Sequence, residues 1–367
     1  MQFKFLFFFL VVFSTFFGCT EFFLKTGGGP VIGRSMEFGL NLNSEIITFA
    51  KGEKRVSYVN NKPSFSWLQK YSFIGVNAFK MDIIVDGMNE KGLSVAGLWF
   101  IGAEYPEVSF EKASSAIALQ DVGNWILGSF ANTEEVKKAL SKVTIYPEKM
   151  ALLGKVPPMH FSIHDKEGKS LVIEFIEGKM QVMDNPIGVL TNAPSFAWQL
   201  TNLRNYINLT PESHGRKKMG NLTLFPTGQG TGLLGLPGDW TPPSRFVKIA
   251  ICLASVQTPK NTEQGVNLSF HLLNTVDIPK GLIQSRKGKP SDYTQWVVVK
   301  DLENQVLYFR TYDDLNIRSV TLGEMLPKSE KKDCSSKRPF LGKDQTHDLG
   351  SIFENFLSSA TGKMCLF

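Results

Sequence analysis

Histidine and cysteine are scarce in this 367-residue chain, which has five of the first and four of the second. Four thiols over such a length make no disulfide framework, because stapled scaffolds are short and cysteine-dense. Cys252 lies in the apolar run from Phe246 to Ala254 and reads as a small buried hydrophobe. Cys334 and Cys365 could pair in an oxidising compartment, and the sequence leaves that open. His160 and His164 stand four apart on an expected strand and share its polar side. No third ligand follows at zinc spacing, so no metal site is expected. A Gly-x-Ser-x-Gly elbow is missing. The triple glycine Gly27 to Gly29 is not followed by Gly-Lys-Ser/Thr, which excludes a phosphate loop. Gly228 to Gly232 lacks a framing strand and helix and reads as a flexible loop able to approach a ligand, not a dinucleotide site. No cofactor is implied. The net charge of +6 comes from 40 basic and 34 acidic residues. It is too small and too evenly spread for nucleic acid, and only Lys328 to Lys343 is locally Lys-rich, as a solvated tail is.

Long apolar runs are also missing after the N-terminus. Met1 to Lys4 carry one positive charge, Phe5 to Phe17 are almost wholly apolar, and Gly18 is small. This is the three-part layout of a secretory signal, too short to span a bilayer comfortably. The expected product is exported, periplasmic or secreted, and begins at Cys19. Phe16-Phe17-Gly18-Cys19 also partly fits a lipoprotein signal, with Phe16 where leucine is usual, so lipid anchoring through Cys19 stays the alternative. The division expected is a signal over residues 1–18, one catalytic domain over 19–325 and a C-terminal extension over 326–367. Ser351 to Ser359 would suit a short amphipathic helix. The domain is long enough to bury a full core.

What is present reads as short strands with clustered helices. Hairpins are expected from Thr20–Thr26 to Val31–Phe38, from Met81–Val85 to Leu93–Phe100, and from His160–Asp165 to Ser170–Ile176. Strands resume at Tyr293–Val299 and Gln305–Thr311. Helical spacing covers Ser114–Phe130, Thr133–Val143 with Thr133 as N-cap, Pro194–Tyr206, Ser244–Val256 and Thr262–Val276. Without strict βαβ alternation, this pattern predicts α+β layers around antiparallel sheets.

Cys19 draws attention by position. Cleavage before it would put a free α-amine and a thiol on one residue. Such an amine titrates near ~7.7–8.0, where it can accept and return a proton. An N-terminal amine can thus activate its own nucleophile. The thiol needs a positive neighbour to stay ionised, and Arg34 on the return strand is placed to supply one.

The strings C-T-E-F-F-L-K-T from Cys19 and G-R-S-M-E-F from Gly33 resemble the start of the choloylglycine hydrolase family, the bile salt hydrolases and penicillin V acylases. The resemblance continues through D-G-M-N-E-K-G-L-S-V-A-G-L-W-F (Asp86 to Phe100) and G-V-L-T-N-A-P-S-F (Gly188 to Phe196). It ends with G-Q-G-T-G-L-L-G-L-P-G-D-W-T-P-P-S-R-F (Gly228 to Phe246) and F-H-L-L-N (Phe270 to Asn274). It implies an N-terminal-nucleophile hydrolase with an αββα sandwich that cleaves linear amides without a cofactor. By the same resemblance Cys19 is the nucleophile and Arg34 lies beside its sulfur. Asn192 and the backbone N–H of Trp99 are oxyanion donors, and Arg245 is the active-site arginine. Glu37 replaces the family's usual aspartate, which orients the amine. Trp99 stands where bile salt hydrolases usually have asparagine and Gram-positive penicillin V acylases tyrosine, which tilts the reading toward the acylase side. The expected partner is a small N-acyl amide with a bulky apolar group: a penicillin V-like amide first, then a conjugated bile salt or an N-acyl homoserine lactone. Family members are commonly homotetramers, so an oligomer is implied. A binding protein that keeps the fold without catalysis is the alternative of another class, with Glu37 in its favour.

Overall fold

A computed structural model describes residues 18–284, 291–326 and 346–348. Residues 1–17 of the expected signal, the Lys-rich segment, Cys334, Cys365 and the helix expected near residue 355 lie outside the described residues. Two antiparallel sheets make the centre. The first runs in the order Val189–Leu190, Cys19–Leu24, Val31–Phe38, Tyr293–Asp301, Val306–Thr311, Arg318–Thr321. The second runs Lys179–Asp184, Ser170–Ile176, Met159–Asp165, Leu93–Trp99, Met81–Asn89, Phe73–Ala78, Glu45–Phe49, Thr346–Asp348. Helices Pro242–Ser255 and Thr262–Asn274 cover the outer face of the first sheet. Helices Val122–Ser129 and Thr133–Leu140 cover that of the second. The result is the αββα sandwich expected from the resemblance.

Both faces of the inner strands are buried, so these strands cannot show a clean apolar–polar alternation. Val31–Phe38 is buried at every residue, yet its two faces differ in chemistry. Val31 and Gly33 turn toward the helices, where Val31 meets Gly265 and Gly33 lies under the Phe22 ring. Arg34 turns the other way and reaches main-chain carbonyls of the second sheet. One apolar core joins the two sheets and the first helix layer. A second packs Ile47, Phe73, Val95, Ile163 and Ile173 under Val122, Ile126, Val136 and Leu140.

Several expectations shift. Ser114–Phe130 is not one helix: Ile117–Ala118 is a short strand paired in parallel with Ile145–Tyr146, and the helix begins only at Val122. Ala116 to Leu119 is buried all round, so its apolar run cannot tell strand from helix. Asn132, not Thr133, caps the next helix by accepting from Glu135 N at 3.0 Å. The Thr133 hydroxyl is spent on Asp165, 2.7 Å away. The helix from Pro194 begins at Phe196, and Leu203–Tyr206 tightens into a 3₁₀ turn. Cys252 is half-buried at the margin of the core, not within it. Gly228 to Gly230 are exposed and outside the cavity described below.

Candidate active site

The register of the first hairpin sets the site. Cys19 pairs with Met36 and Glu21 with Arg34, which puts Cys19, Glu21 and Arg34 on the face toward the second sheet. Arg34 Nη2 donates to the Gly97 carbonyl at 2.8 Å and lies 3.7 Å from the Cys19 sulfur. Its Nη1 donates to the Val85 carbonyl at 3.1 Å. The guanidinium is thus aimed by the backbone of the opposite sheet. The backbone N–H of Trp99 also donates to the sulfur. Burial pushes the thiol up from its ordinary value, and Arg34 is the leading opposing influence. Glu37 adds to the rise, while the Trp99 amide and Arg245 work against it.

The Cys19 nitrogen is in peptide linkage to Gly18 here and stands in for the α-amine of a processed chain. It donates to Asn192 Oδ1 at 2.8 Å. The Asn192 Nδ2 donates to the Trp99 carbonyl at 2.7 Å. Asn192 was expected as a donor toward an oxyanion; in the structure its oxygen faces the Cys19 nitrogen. Two donors, Cys19 N and Arg245 Nη2, converge on that oxygen and determine which way the amide points. Arg245 enters from helix Pro242–Ser255, whose Pro242 stands at the first helical position, and donates through Nη1 to the Cys19 carbonyl at 2.6 Å.

Glu37 lies on the opposite face of its strand from the Cys19 side chain. Its Oε1 accepts from the Thr294 hydroxyl at 2.9 Å, and its main-chain N–H donates to the Gly18 carbonyl at 3.0 Å. Burial raises its carboxyl, with Arg245 the main opposing charge. Glu37 therefore borders Gly18 and Cys19, while the single N–H of the Cys19 peptide goes to Asn192. The structure does bring all six expected residues together.

The thiol opens onto a cavity of about 760 Å³, its mouth included. Met36, Phe38, Ile83, Trp99, Leu153 and Phe161 give its wall an apolar character, and Gln120 is a polar exception. Trp99 meets Phe38 edge-on at 5.4 Å, and the Lys155 ammonium lies 5.0 Å from its ring centre.

Sequence reasoning missed the groups behind this first ring. His160 and His164 share the polar face of their strand, and that face lies in the interior between the sheets. His160 bridges Glu174 (3.0 Å) and the Thr191 carbonyl (2.9 Å), which steadies the segment carrying Asn192. Glu21, Asp86 and Lys300 form a buried ionic cluster next to Arg34. Glu21 and Asp86 stood within the recognised strings, and a charged residue in an otherwise apolar strand was the available signal. Among the described residues no group of histidine, cysteine and carboxylate side chains could hold a metal ion.

Residues 19–337 match the family model described as linear amide C–N hydrolases, choloylglycine hydrolase family. The chain is 35% identical over 314 residues to a bile salt hydrolase/transferase of Clostridium perfringens, covering 83% of this chain and 93% of that protein. It is 29% identical over 313 residues to a penicillin V acylase of Pectobacterium atrosepticum, with 80% and 77% covered. A solved structure of a mutant conjugated bile acid hydrolase from C. perfringens superposes with a TM-score of 0.74 at 32% identity, covering 89% of this chain and 98% of that one.

Proposed function

This chain belongs to the choloylglycine hydrolase family of linear amide C–N hydrolases, and on that premise we propose that it is an exported amidase whose processed N-terminus, Cys19, is the nucleophile. Its sandwich is the N-terminal-nucleophile hydrolase fold. One observation carries the reading: the Cys19 sulfur borders an apolar cavity with a guanidinium nitrogen 3.7 Å away.

The α-amine, released from Gly18, takes the thiol proton, and the thiolate attacks the substrate carbonyl carbon. The Trp99 N–H, which already points at the sulfur, and the second N–H of Asn192 Nδ2, whose first is held by the Trp99 carbonyl, receive the charge on the carbonyl oxygen. Such preorganised donors contribute about 3–4 kcal/mol each. The amine passes its proton to the leaving nitrogen and the C–N bond breaks, leaving a thioester on Cys19. Water then releases the acid and restores the thiol. Arg34 stabilises the thiolate, Arg245 and Asn192 hold the nucleophile's main chain, and Glu37 lends negative charge beside the amine.

The apolar wall fits a bulky acyl group. The bile salt hydrolases among its relatives favour a steroid acyl group. Trp99 at the wall favours a flat aryloxyacetyl group, as in penicillin V, and keeps the acylase reading as the second. Cys19→Ser should lower kcat/KM toward a conjugated bile salt and penicillin V by about a thousandfold or more. Undiminished turnover by that variant rejects the mechanism. Intact-mass analysis of the mature protein tests the rest, since a lipidated or retained leader leaves no free amine at Cys19.

A further inference from the structure

The ionic cluster between the sheets has an order. Glu21 lies 3.3 Å from Lys300 Nζ, and Lys300 also contacts Asp86 directly. Asp86 Oδ2 is 3.8 Å from Arg34 Nε, and Arg34 Nη2 is 3.7 Å from the Cys19 sulfur. Glu21, Lys300, Asp86 and Arg34 are wholly buried. The signs alternate: carboxylate, ammonium, carboxylate, guanidinium, sulfur. His164 stands at the far end, 3.5 Å from Glu21, with its ring nitrogens engaged by Ser162 and Ser170. The Trp296 ring centre lies 5.8 Å from the Arg34 guanidinium. Glu37 and Arg245 act on the sulfur from the helix side, outside this chain.

We infer that Glu21, Lys300 and Asp86 are positioning residues that set how much of Arg34's positive charge reaches the Cys19 sulfur. The inference rests on the reading of Cys19 as nucleophile. Asp86 competes with the sulfur for the same guanidinium, and Lys300 blunts that competition by sharing Asp86 with Glu21. Buried in a low-dielectric interior, such charges act over more than one contact distance. Burial raises the Asp86 carboxyl, while Lys300 and Arg34 oppose the rise. Lys300 and His164 overcome the effect of burial on Glu21 and bring it down to about 2.

A purely structural cluster would lose stability in any variant and leave the thiol alone. A charge chain instead predicts shifts of opposite sign. The test is the pH dependence of iodoacetamide alkylation at Cys19 in the processed full-length protein, read by peptide mass spectrometry so that Cys252 does not contribute. Asp86→Asn frees Arg34 and should lower the midpoint of the profile by about one pH unit. Lys300→Met strengthens the hold of Asp86 on Arg34 and should raise it by a similar amount, and the double variant should return toward the parent. Asp86→Asn leaves Lys300 with Glu21 and is the variant least exposed to misfolding, so it decides alone if Lys300→Met does not fold. A midpoint that stays put or rises in Asp86→Asn overturns the inference. A parent protein whose Cys19 is never alkylated at any pH removes the nucleophile reading beneath it as well.

Discussion

Arg245 holds Cys19 by its backbone rather than its sulfur: Nη1 donates to the Cys19 carbonyl at 2.6 Å, and Nη2 reaches Asn192 Oδ1 at 2.8 Å. One guanidinium thus fixes both the Cys19 main chain and the amide that accepts from its nitrogen. It is buried, and desolvation lowers its pKa, with Glu37 the leading charge that opposes this. Arg245→Met should cost about 3–5 kcal/mol, because it leaves the buried Cys19 carbonyl, Thr20 hydroxyl and Asn192 Oδ1 without their charged donor. Urea unfolding of the two proteins measures this, and a loss under about 1 kcal/mol contradicts that role. Arg245→Lys keeps the charge but not the planar fork, so kcat should fall about tenfold or more while the fold persists.

Asp292 gives a pH prediction. Burial, then repulsion from Glu37, pushes its carboxyl from 3.8 up to about 7. A raised carboxyl binds its proton more tightly in the folded state, so the folded chain holds more protons between these values. Stability therefore declines as pH rises through that window. Asp292→Asn removes this contribution. Its melting temperature relative to the parent should climb from pH 4 to pH 7 and level off above, equivalent to about 4 kcal/mol at most. A difference flat across that range contradicts the assignment.

Trp99 contributes a backbone N–H to the sulfur and a ring to the cavity wall, and mutation separates the two. Trp99→Ala keeps the amide. It should reduce kcat/KM about tenfold for an amide with a bulky aromatic acyl group, with little change for an acetyl amide. Equal losses for both substrates would place the ring outside acyl recognition.

Gly33 faces Phe22 across the first hairpin, and a Cβ there would lie 2.5 Å from the tip of the Phe22 ring. That ring is fully buried under the helix layer. Gly33→Ala should destabilise by about 1–3 kcal/mol, measurable as a lower urea midpoint with unchanged slope.

The first hairpin, the hairpin from Met81 to Phe100 and the helix from Thr262 were legible because each carries a local pattern: paired extended runs or helical spacing. The segment around Ile117 was not, since full burial erases the periodicity that separates strand from helix. In the site, Cys19, Arg34, Glu37, Trp99, Asn192 and Arg245 were all found in the sequence through the ordered strings. Their relations were not. Asn192 meets Cys19 across 173 positions, and Arg245 Nη1 meets the Cys19 carbonyl across 226.

The chain by itself determined which strands could form, which glycines turn them and which residue types stand in the family's order, because these depend on neighbours a few positions apart. Only the tertiary structure decided that Asn192 accepts from the Cys19 nitrogen, from the end of the neighbouring strand of the same sheet, and that Lys300 joins one carboxylate from each sheet behind Arg34. Such contacts depend on distances in the folded chain, which no local pattern encodes.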